Sequence, residues 1–430
     1  MKFFSTRNKG LSASFKEVLL NGLAPDGGLY MPAKIPKMSM DFFKSQQSFE
    51  ELAVNIIYPY VKEEFSLSKL TDICEDAFNF PIKIKNLNES DLILELFHGP
   101  TLAFKDFAAR FLAQTMFFLQ ADNKKKLTIL VATSGDTGAA VANSFYDIDN
   151  IDVIVLYPSN KVSGIQEKQI TTLGKNITAL EVAGTFDDCQ RLVKKAFVDK
   201  EIISSLNLSS ANSINFVRLL PQATYYAWAW NKSKINDSII FSIPSGNFGN
   251  ITGGLLANQM GLPVEMFIAS LNINDAFVKF LNSGKLSEKK AIKTISNAMD
   301  VSIPSNLERI KNIFDSDLRE INKKISTWSF SDSLTKKMIK NIYEEYNYLV
   351  DPHTAVGVLG LNEYRLNFKN LKKGVVLSTA HAAKFSNVVE PIIKQEIELS
   401  ETVKSLLDKE KLSIKMSNEF ATFKEFLLSV

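Results

Sequence analysis

The chain has 430 residues, 45% of them hydrophobic, as expected for an enzyme with two or three packed domains. Its 50 basic and 47 acidic residues leave a formal charge of +3, a balance that argues against nucleic acid or a membrane as partner. The two cysteines and three histidines show neither a disulfide framework nor the spacing of a zinc site, so we expect no metal. No apolar run could span a bilayer and no signal peptide is visible, which favours the cytoplasm.

In chain order, residues 1–80 come first and differ in pattern from the rest of the chain. They contain a turn-rich stretch with Pro25, Gly27 and Gly28, and then a helical pattern over residues 49–61. We therefore predict a small N-terminal domain over residues 1–80.

Residues 81–395 contain short aliphatic runs that alternate with helical patterns. Such runs are typical of strands covered on both faces, and their alternation with helices predicts an α/β region built on parallel sheets. The predicted strands are residues 91–97, 127–133, 153–157, 177–182, 239–243, 264–269 and 374–378. The predicted helices include residues 103–120, 138–146, 187–200 and 251–260.

Two later segments differ from this pattern. Residues 272–348 are rich in Lys, Asn and Ser and contain amphipathic pieces, which predicts a helical insertion or cover. Asp351 followed by Pro352 is typical of a helix start. The polar residues 396–430 are predicted to form a peripheral C-terminal segment.

Lys105 stands out in the helical pattern that begins near residue 103. Its neighbours at helical spacing include Leu102 and Leu112, whereas Asp106 and Arg110 have the spacing of a pair on a polar face. A buried ammonium tends to lose its proton, and the free amine can form a Schiff base with an aldehyde cofactor. A lysine whose chain extends to the surface fits the position equally well.

Two glycine-containing loops, residues 133–140 and 244–254, each follow a predicted strand and open a predicted helix. Ligands bind at this edge of an open parallel sheet, where glycines admit close approach and free amides attract anions. Neither loop has the phosphate-loop pattern or the Gly-x-Gly-x-x-Gly spacing of dinucleotide folds. Together with Lys105, the two loops favour a phosphorylated ligand over mere tight connections.

A third cluster, residues 210–218, combines short polar side chains with Arg218. Arginine matches phosphate oxygens with two parallel hydrogen bonds. Taken alone, the cluster is better explained as a polar helix cap with a surface arginine.

Taken together, these motifs resemble the threonine synthase family, which uses pyridoxal phosphate and has the tryptophan-synthase-β-like fold, type II. The resemblance covers nearly the whole chain, and the segment around Lys105 is its most specific part. It implies two open parallel-sheet subdomains and a small N-terminal domain. The matching segments are residues 25–30, 98–107, 133–140, 212–218, 245–250, 351–357 and 379–381.

The resemblance implies a set of cofactor contacts. Lys105 would hold the cofactor aldehyde, Asp136 would lie near its phenolic oxygen, and Thr379 would bond its pyridine nitrogen. The family often has an acidic residue where Asn250 stands, so the role of that side chain is open. The loop that would cradle the cofactor phosphate consists of Gly246, Asn247, Phe248, Gly249 and Asn250.

The resemblance also implies how the substrate is held. Ser134 and Thr137 would bind its carboxylate, and Asn212, Ser213 and Arg218 would bind its phosphate. The substrate would be O-phospho-L-homoserine, and the products would be L-threonine and phosphate.

The implied route runs through the Schiff base on Lys105, β,γ-elimination of phosphate and addition of water at Cβ, as a step of threonine biosynthesis. A monomer is favoured over a homodimer by the resemblance.

Two other functions stay open. A serine/threonine dehydratase of the same fold would not need residues 212–218 as a second phosphate pocket. A phosphate-binding protein without catalysis would not need Lys105.

Overall fold

The structure, a computed structural model, describes residues 1–120, 125–235, 237–286, 290–370 and 372–429. Its strands are β1 (Phe3–Ser5), β2 (Ser12–Ala13), β3 (Tyr30–Pro32), β4 (Lys83–Asn86), β5 (Asp91–Glu95), β6 (Leu127–Ala132), β7 (Ile151–Pro158), β8 (Ile177–Ala183), β9 (Asn207–Ser210), β10 (Ile239–Pro244), β11 (Val264–Leu271), β12 (Ile325–Ser329), β13 (Gly374–Ser378) and β14 (Ile414–Ser417).

The α-helices of the described residues are α1 (Phe15–Asn21), α2 (Met40–Lys44), α3 (Phe49–Val61), α4 (Leu67–Ala77), α5 (Lys105–Gln120), α6 (Asp136–Phe145), α7 (Gly164–Thr171), α8 (Phe186–Ala196), α9 (Lys200–Ser205), α10 (Leu219–Lys232), α11 (Gly249–Met260), α12 (Ala276–Ser283), α13 (Leu307–Ile313), α14 (Leu318–Lys324), α15 (Asp332–Tyr346), α16 (Pro352–Phe368), α17 (Ser386–Ile393), α18 (Glu401–Leu407) and α19 (Phe420–Ser429). Three short 3-10 helices are η1 (Phe216–Arg218), η2 (Asn297–Met299) and η3 (Ala382–Phe385). Within these ranges, no helix is both long enough and apolar enough to cross a membrane.

Two open sheets form the main body of the molecule. The six-stranded sheet has the order β12-β11-β10-β13-β5-β4 and is parallel except for β4. The five-stranded sheet has the order β14-β8-β7-β6-β9 and is parallel throughout. The predicted α/β class with two open sheets is therefore confirmed.

Every predicted strand is present. All residues of β6, β10 and β13 are buried, as their unbroken aliphatic runs predict for strands with both faces covered. The N-terminal residues add a small antiparallel sheet of order β2-β1-β3. The predicted helix over residues 49–61 is confirmed as α3, which begins with a capping box between Ser48 and Glu51.

The predicted helices differ from the observed ones mainly at their ends. The helix expected over residues 187–200 is divided into α8 and α9, because the Asp199 side chain accepts from two amides and starts a new helix. The predicted start at Asp351 and Pro352 is confirmed, since the Asp351 carboxylate caps α16.

For residues 272–348 the sequence predicts a helical insertion, but the structure also contains one strand there, β12. β12 pairs in parallel with β11 and forms one edge of the six-stranded sheet. Its residues, Ile-Ser-Thr-Trp-Ser, include the β-branched and aromatic types that suit a strand. The surrounding Lys- and Asn-rich helices obscure this short run in the sequence.

The C-terminal segment is predicted to be peripheral, but part of it packs in the core. β14 forms the edge of the five-stranded sheet beside β8. Phe423 and Leu427 on α19 are fully buried and pack in the cluster that contains Leu192 of α8. The boundaries proposed for the three domains stay a prediction.

A matched pair of substitutions on α19 tests this packing. Leu427 is 0% exposed, whereas its neighbour Leu428 is 38% exposed. We expect Leu427→Ala to lower the free energy of unfolding by about 2–5 kcal/mol, because a buried cavity is created. Leu428→Ala should change it by no more than about 0.5 kcal/mol. Denaturant unfolding of the two variants would show equal stabilities if α19 did not pack against α8.

Candidate active site

A cavity of about 690 Å³ lies where carboxyl ends of strands from both sheets meet. Its walls come from the segments that follow β5, β10 and β13 in one sheet and β6 and β9 in the other, as expected for open parallel sheets. Every site residue predicted from the sequence lines it. These are Lys105, Ser134, Asp136, Thr137, Asn212, Ser213, Arg218, Gly246, Asn247, Phe248, Gly249, Asn250 and Thr379.

Lys105 is the first residue of α5, and its side chain faces the cavity rather than the outer surface. The segment before it is fixed from both sides. The Phe104 amide donates to the Thr379 carbonyl at 2.9 Å, and the His381 amide donates to the Leu102 carbonyl at 3.0 Å. Leu102 has a positive φ of 58°, a conformation that non-glycine residues rarely adopt outside functional sites. The lysine is thus held at the cavity wall.

Burial lowers the pKa of Lys105 to about 8. The carboxylate of Asp136 opposes this change, while the nearby charges of Arg218 and Lys384 add to it. A lysine with this pKa has a substantial unprotonated fraction near neutral pH. Its amine can therefore act as a nucleophile and as a proton carrier.

The predicted pairing of Asp106 with Arg110 on a polar face is wrong. Asp106 is buried, and its carboxylate accepts from the Thr101 amide at 2.9 Å and the Thr101 hydroxyl at 2.6 Å. Arg110 donates instead to the Ala77 carbonyl at 2.8 Å. A Cβ on Gly99 would lie 2.5 Å from the Asp106 carboxylate, so only glycine fits there. Asp106 thus fixes the loop before α5. Residue spacing alone does not reveal this role.

The start of α11 forms an anion-binding cradle. Phe248 has a left-handed φ of 62° and provides no side-chain cap, so the first amides of this helix are left without a side-chain acceptor. Such amides and the helix dipole attract anions. A Cβ on Gly246 would come within 2.8 Å of the Ala298 carbonyl and of Met299. Glycine is therefore required where the loop passes under that segment.

The side chain of Asn250 adds a donor to this cradle. Its Oδ1 accepts from the hydroxyls of Tyr225 at 2.6 Å and Tyr226 at 2.7 Å, distances typical of O–H···O bonds. These bonds orient the amide, and its Nδ2 has no acceptor among the described residues. Asn250 is 7% exposed and lines the cavity. A buried donor without a partner is costly, so this end of the cavity fits the phosphate of a bound ligand.

Arg218 forms a second anion-binding group. It is 3% exposed, so the alternative of a surface arginine is wrong. One of its Nη atoms donates to the Ala211 carbonyl at 2.6 Å, while Nε lacks a partner and no carboxylate of the described residues pairs with it. Burial lowers the pKa of Arg218 to about 10, which leaves it charged. A buried cation without a counter-ion is suited to an anionic ligand.

The neighbours of Arg218 also have polar atoms at the cavity. The Asn212 amide donates to the Ala132 carbonyl at 3.2 Å, and its Oδ1 is unpaired among the residues that the structure describes. The Ser213 hydroxyl accepts from the Asn247 side chain at 2.8 Å. The second anion-binding group is therefore tied directly to the α11 cradle.

Asp136 opens α6 beside Ser134 and Thr137. Its carboxylate accepts from Gln166 at 2.9 Å and from Lys384 at 2.8 Å. Burial alone would raise the pKa of Asp136, but the charges of Lys384 and Lys105 lower it further than burial raises it. Asp136 is thus a buried anion at neutral pH.

The sequence interpretation missed four groups at or beside the cavity. Lys384 does not line the cavity but is buried against Asp136, and the signal that singled out Lys105, a lysine among apolar residues, also applies to it. His353 lines the cavity, with its Nδ1 2.5 Å from Asp351 and its Nε2 accepting from the Ala298 amide at 3.2 Å. Residues 298–303 and 305, and the face of α8 with Gln190 and Lys194, line the remaining walls. The sequences of these last two groups contain no pattern that marks them as part of a site.

Comparison with known proteins identifies the family. Residues 2–78 match the model of the threonine synthase N terminus, residues 85–380 that of pyridoxal-phosphate-dependent enzymes, and residues 354–427 that of the threonine synthase C-terminal region. The threonine synthase of Buchnera aphidicola from Schizaphis graminum is 42% identical over 437 residues, with 100% of both chains covered.

Two solved structures are similar over the whole chain. The crystal structure of Escherichia coli threonine synthase has a TM-score of 0.93 at 38% identity, with 100% of both chains covered. A threonine synthase from Brucella melitensis with bound pyridoxal phosphate has a TM-score of 0.93 at 33% identity, covering 100% of this chain and 99% of that one. The chain belongs to the threonine synthase family of pyridoxal-phosphate-dependent enzymes.

Proposed function

We propose that this chain is a threonine synthase, which converts O-phospho-L-homoserine and water to L-threonine and phosphate with pyridoxal phosphate as cofactor. One observation carries the proposal. A single cavity contains the amine of the half-buried Lys105 and two separate groups of donors without partners among the described residues, at the start of α11 and at Arg218. A phosphorylated cofactor and a phosphorylated substrate together require this combination.

The cofactor would be held by residues on three sides of the cavity. Lys105 provides the amine that links to its aldehyde, and residues 246–250 with the Asn250 amide seat its phosphate. Asp136 would face the phenolic oxygen, and the uncharged hydroxyl of Thr379 would bond the ring nitrogen. When bound, pyridoxal phosphate withdraws electrons from the substrate and makes protons beside its amine acidic.

The substrate would be held by side chains rather than by a helix start. Ser134 and Thr137 lie beside the first amides of α6 and would receive the carboxylate. Asn212, Ser213 and Arg218 would bind the phosphate. Because this phosphate must leave after its bond to Cγ breaks, side chains that can move suit it better than fixed amides.

Lys105 would move the protons. The reaction removes a proton at Cα and one at Cβ, and it delivers protons to carbon while a water oxygen adds at Cβ. An amine whose pKa is about 8 can accept and donate protons near neutral pH. Burial keeps the amine from full solvation, and its Nζ lies 4.7 Å from the centre of the Phe104 ring.

A monomeric state and a cytoplasmic location belong to the same proposal. The monomeric state rests on the family resemblance, and the location on the similarity to bacterial threonine synthases. Gel filtration with light scattering would test the first of them.

The central test is an assay of purified protein with O-phospho-L-homoserine for both threonine and phosphate. We expect both products in equal amounts, and Lys105→Ala should abolish them because the linking amine is lost. The same variant should lose the visible absorbance of the bound cofactor. Lys161→Ala, at an exposed lysine away from the cavity, serves as the control and should behave as the unchanged protein. A yellow and active Lys105→Ala protein would refute the assignment.

Arg218→Ala tests the substrate-phosphate assignment. Losing a charge-assisted contact should lower kcat/KM by about 10- to 100-fold, with cofactor binding much less affected. Arg319→Ala removes an arginine whose side chain is 89% exposed and should leave both quantities unchanged. Weaker cofactor binding with an unchanged kcat/KM would contradict the assignment.

Asn250→Ala tests the cofactor-phosphate assignment. We expect the affinity for pyridoxal phosphate to fall about tenfold, the effect of one lost hydrogen bond to a charged group, while the affinity for pyridoxal, which has no phosphate, changes less. Asn258→Ala lies at the other end of α11 and does not line the cavity, so it should alter neither affinity. Equal losses for both ligands would place Asn250 away from the phosphate.

A further inference from the structure

Lys384 is a buried cation next to the proposed catalytic amine, and it has no role in the proposed reaction so far. It lies in η3, is 1% exposed, and does not line the cavity. We infer that Lys384 is a positioning residue, which holds Asp136 in place and offsets its charge so that a proton on the Lys105 nitrogen is disfavoured. The inference rests on the proposed function, since it assigns Lys105 as the reacting amine.

The contacts of Lys384 connect the two sheets. Its Nζ lies 2.8 Å from the Asp136 carboxylate and donates to the Thr101 carbonyl at 2.7 Å. Asp136 follows β6 of the five-stranded sheet, whereas Thr101 and Lys384 follow β5 and β13 of the six-stranded sheet. Gln169 of α7 also donates to the Thr101 carbonyl, at 3.1 Å. One ammonium group therefore joins the loop that precedes Lys105 to the start of α6.

Two lysines lie near the single carboxylate of Asp136, but only one of them is paired with it. Lys384 makes the direct ion pair. Among the described residues, Lys105 has no carboxylate within the 4.0 Å of an ion pair, although the charge of Asp136 acts on it. Lys384 thus occupies the carboxylate that would otherwise stabilise a protonated Lys105.

The charges that face Lys105 give the sign of the effect. They are Asp136 on α6, Arg218 at the end of η1 and Lys384 on η3. Asp106, which is buried on α5, faces Lys384. With Lys384 present, Lys105 is near two cations and one anion, and a further positive charge is disfavoured. Without Lys384, one cation and one anion remain, and the carboxylate of Asp136 favours the protonated amine.

Stability alone is a poor explanation for this ion pair. A buried ion pair generally adds little net stability compared with well-packed apolar residues of similar volume, because both charges lose hydration. The pair is also placed where its charge acts on a reacting amine. A group that only clamps the two sheets could donate to Thr101 without carrying a charge.

The test is a pH titration of the visible absorbance of bound pyridoxal phosphate in the purified protein, without substrate. Lys384→Gln and the apolar, similarly long Lys384→Met remove the charge, and Lys384→Arg retains it. Lys411→Gln is the control, since Lys411 also pairs with two carboxylates, Glu167 at 2.7 Å and Glu181 at 2.8 Å, but does not line the cavity.

We expect both neutral variants to raise the titration midpoint by about one pH unit or more, the usual effect of a neighbouring charge. Lys384→Arg and Lys411→Gln should stay close to the unchanged protein. If the absorbance does not change between pH 6 and 10, the pH profile of kcat/KM serves as the second reading. The midpoint of its acidic limb should then move to higher pH by the same amount.

The inference is overturned if a folded, cofactor-loaded neutral variant keeps the original midpoint and acidic limb. It is equally overturned if Lys384→Arg shifts them as much as Lys384→Gln, because geometry and not charge would then be responsible. The absorbance titration requires no turnover, so a wrong substrate would leave its result intact. Conversely, threonine formation would still support the proposed function if Lys384 had no effect on the midpoint.

Discussion

The removal of one lysine amine from water is the constraint on which the rest of this structure depends. An ammonium without its hydration is unfavourable unless a carboxylate compensates for it, and the carboxylate of Asp136, whose charge acts on Lys105, is already paired with Lys384. The amine is therefore held close to the point where its two protonation states are balanced. The loop before Lys105 is fixed by Asp106 and passes through the positive-φ residue Leu102. This loop keeps the amine in the surroundings that produce the balance.

The two anion-binding groups are built from different parts because they have different tasks. The α11 cradle uses main-chain amides on a 12-residue helix, and its position is set by the strand before it and by the tyrosines that orient Asn250. Such a seat changes little and suits a cofactor that stays bound. The group at Arg218 uses side chains, one of which is linked to the cradle through Asn247. Side chains would suit the proposed substrate phosphate, which must arrive and depart, better than fixed amides.

Much of the fold could be predicted because its strands are buried on both faces, which produces unbroken aliphatic runs such as β6 and β10. Lys105 could be recognised because a charge in an apolar helix is locally anomalous. Contacts between distant segments could not be predicted in the same way. The burial of Arg218 depends on the packing of η1 under the cavity, and the pairing of Asp106 with Thr101 depends on a loop that folds back. Likewise, β14 depends on pairing with β8, a strand far away in the chain that would otherwise be the open edge of its sheet.

The charges around the cavity also indicate how ligands complete the fold. The charges of Lys384, Arg218 and Asp136 all act on Lys105, and burial lowers the pKa of both Lys105 and Arg218. An excess of buried positive charge is unfavourable in a protein interior, yet here it is concentrated where two phosphates are proposed to bind. Each bound anion would offset part of that excess, and a ligand that binds only the folded state stabilises it. On the proposed assignment, the cavity would give up some stability of the free protein, and the two bound phosphates would restore it.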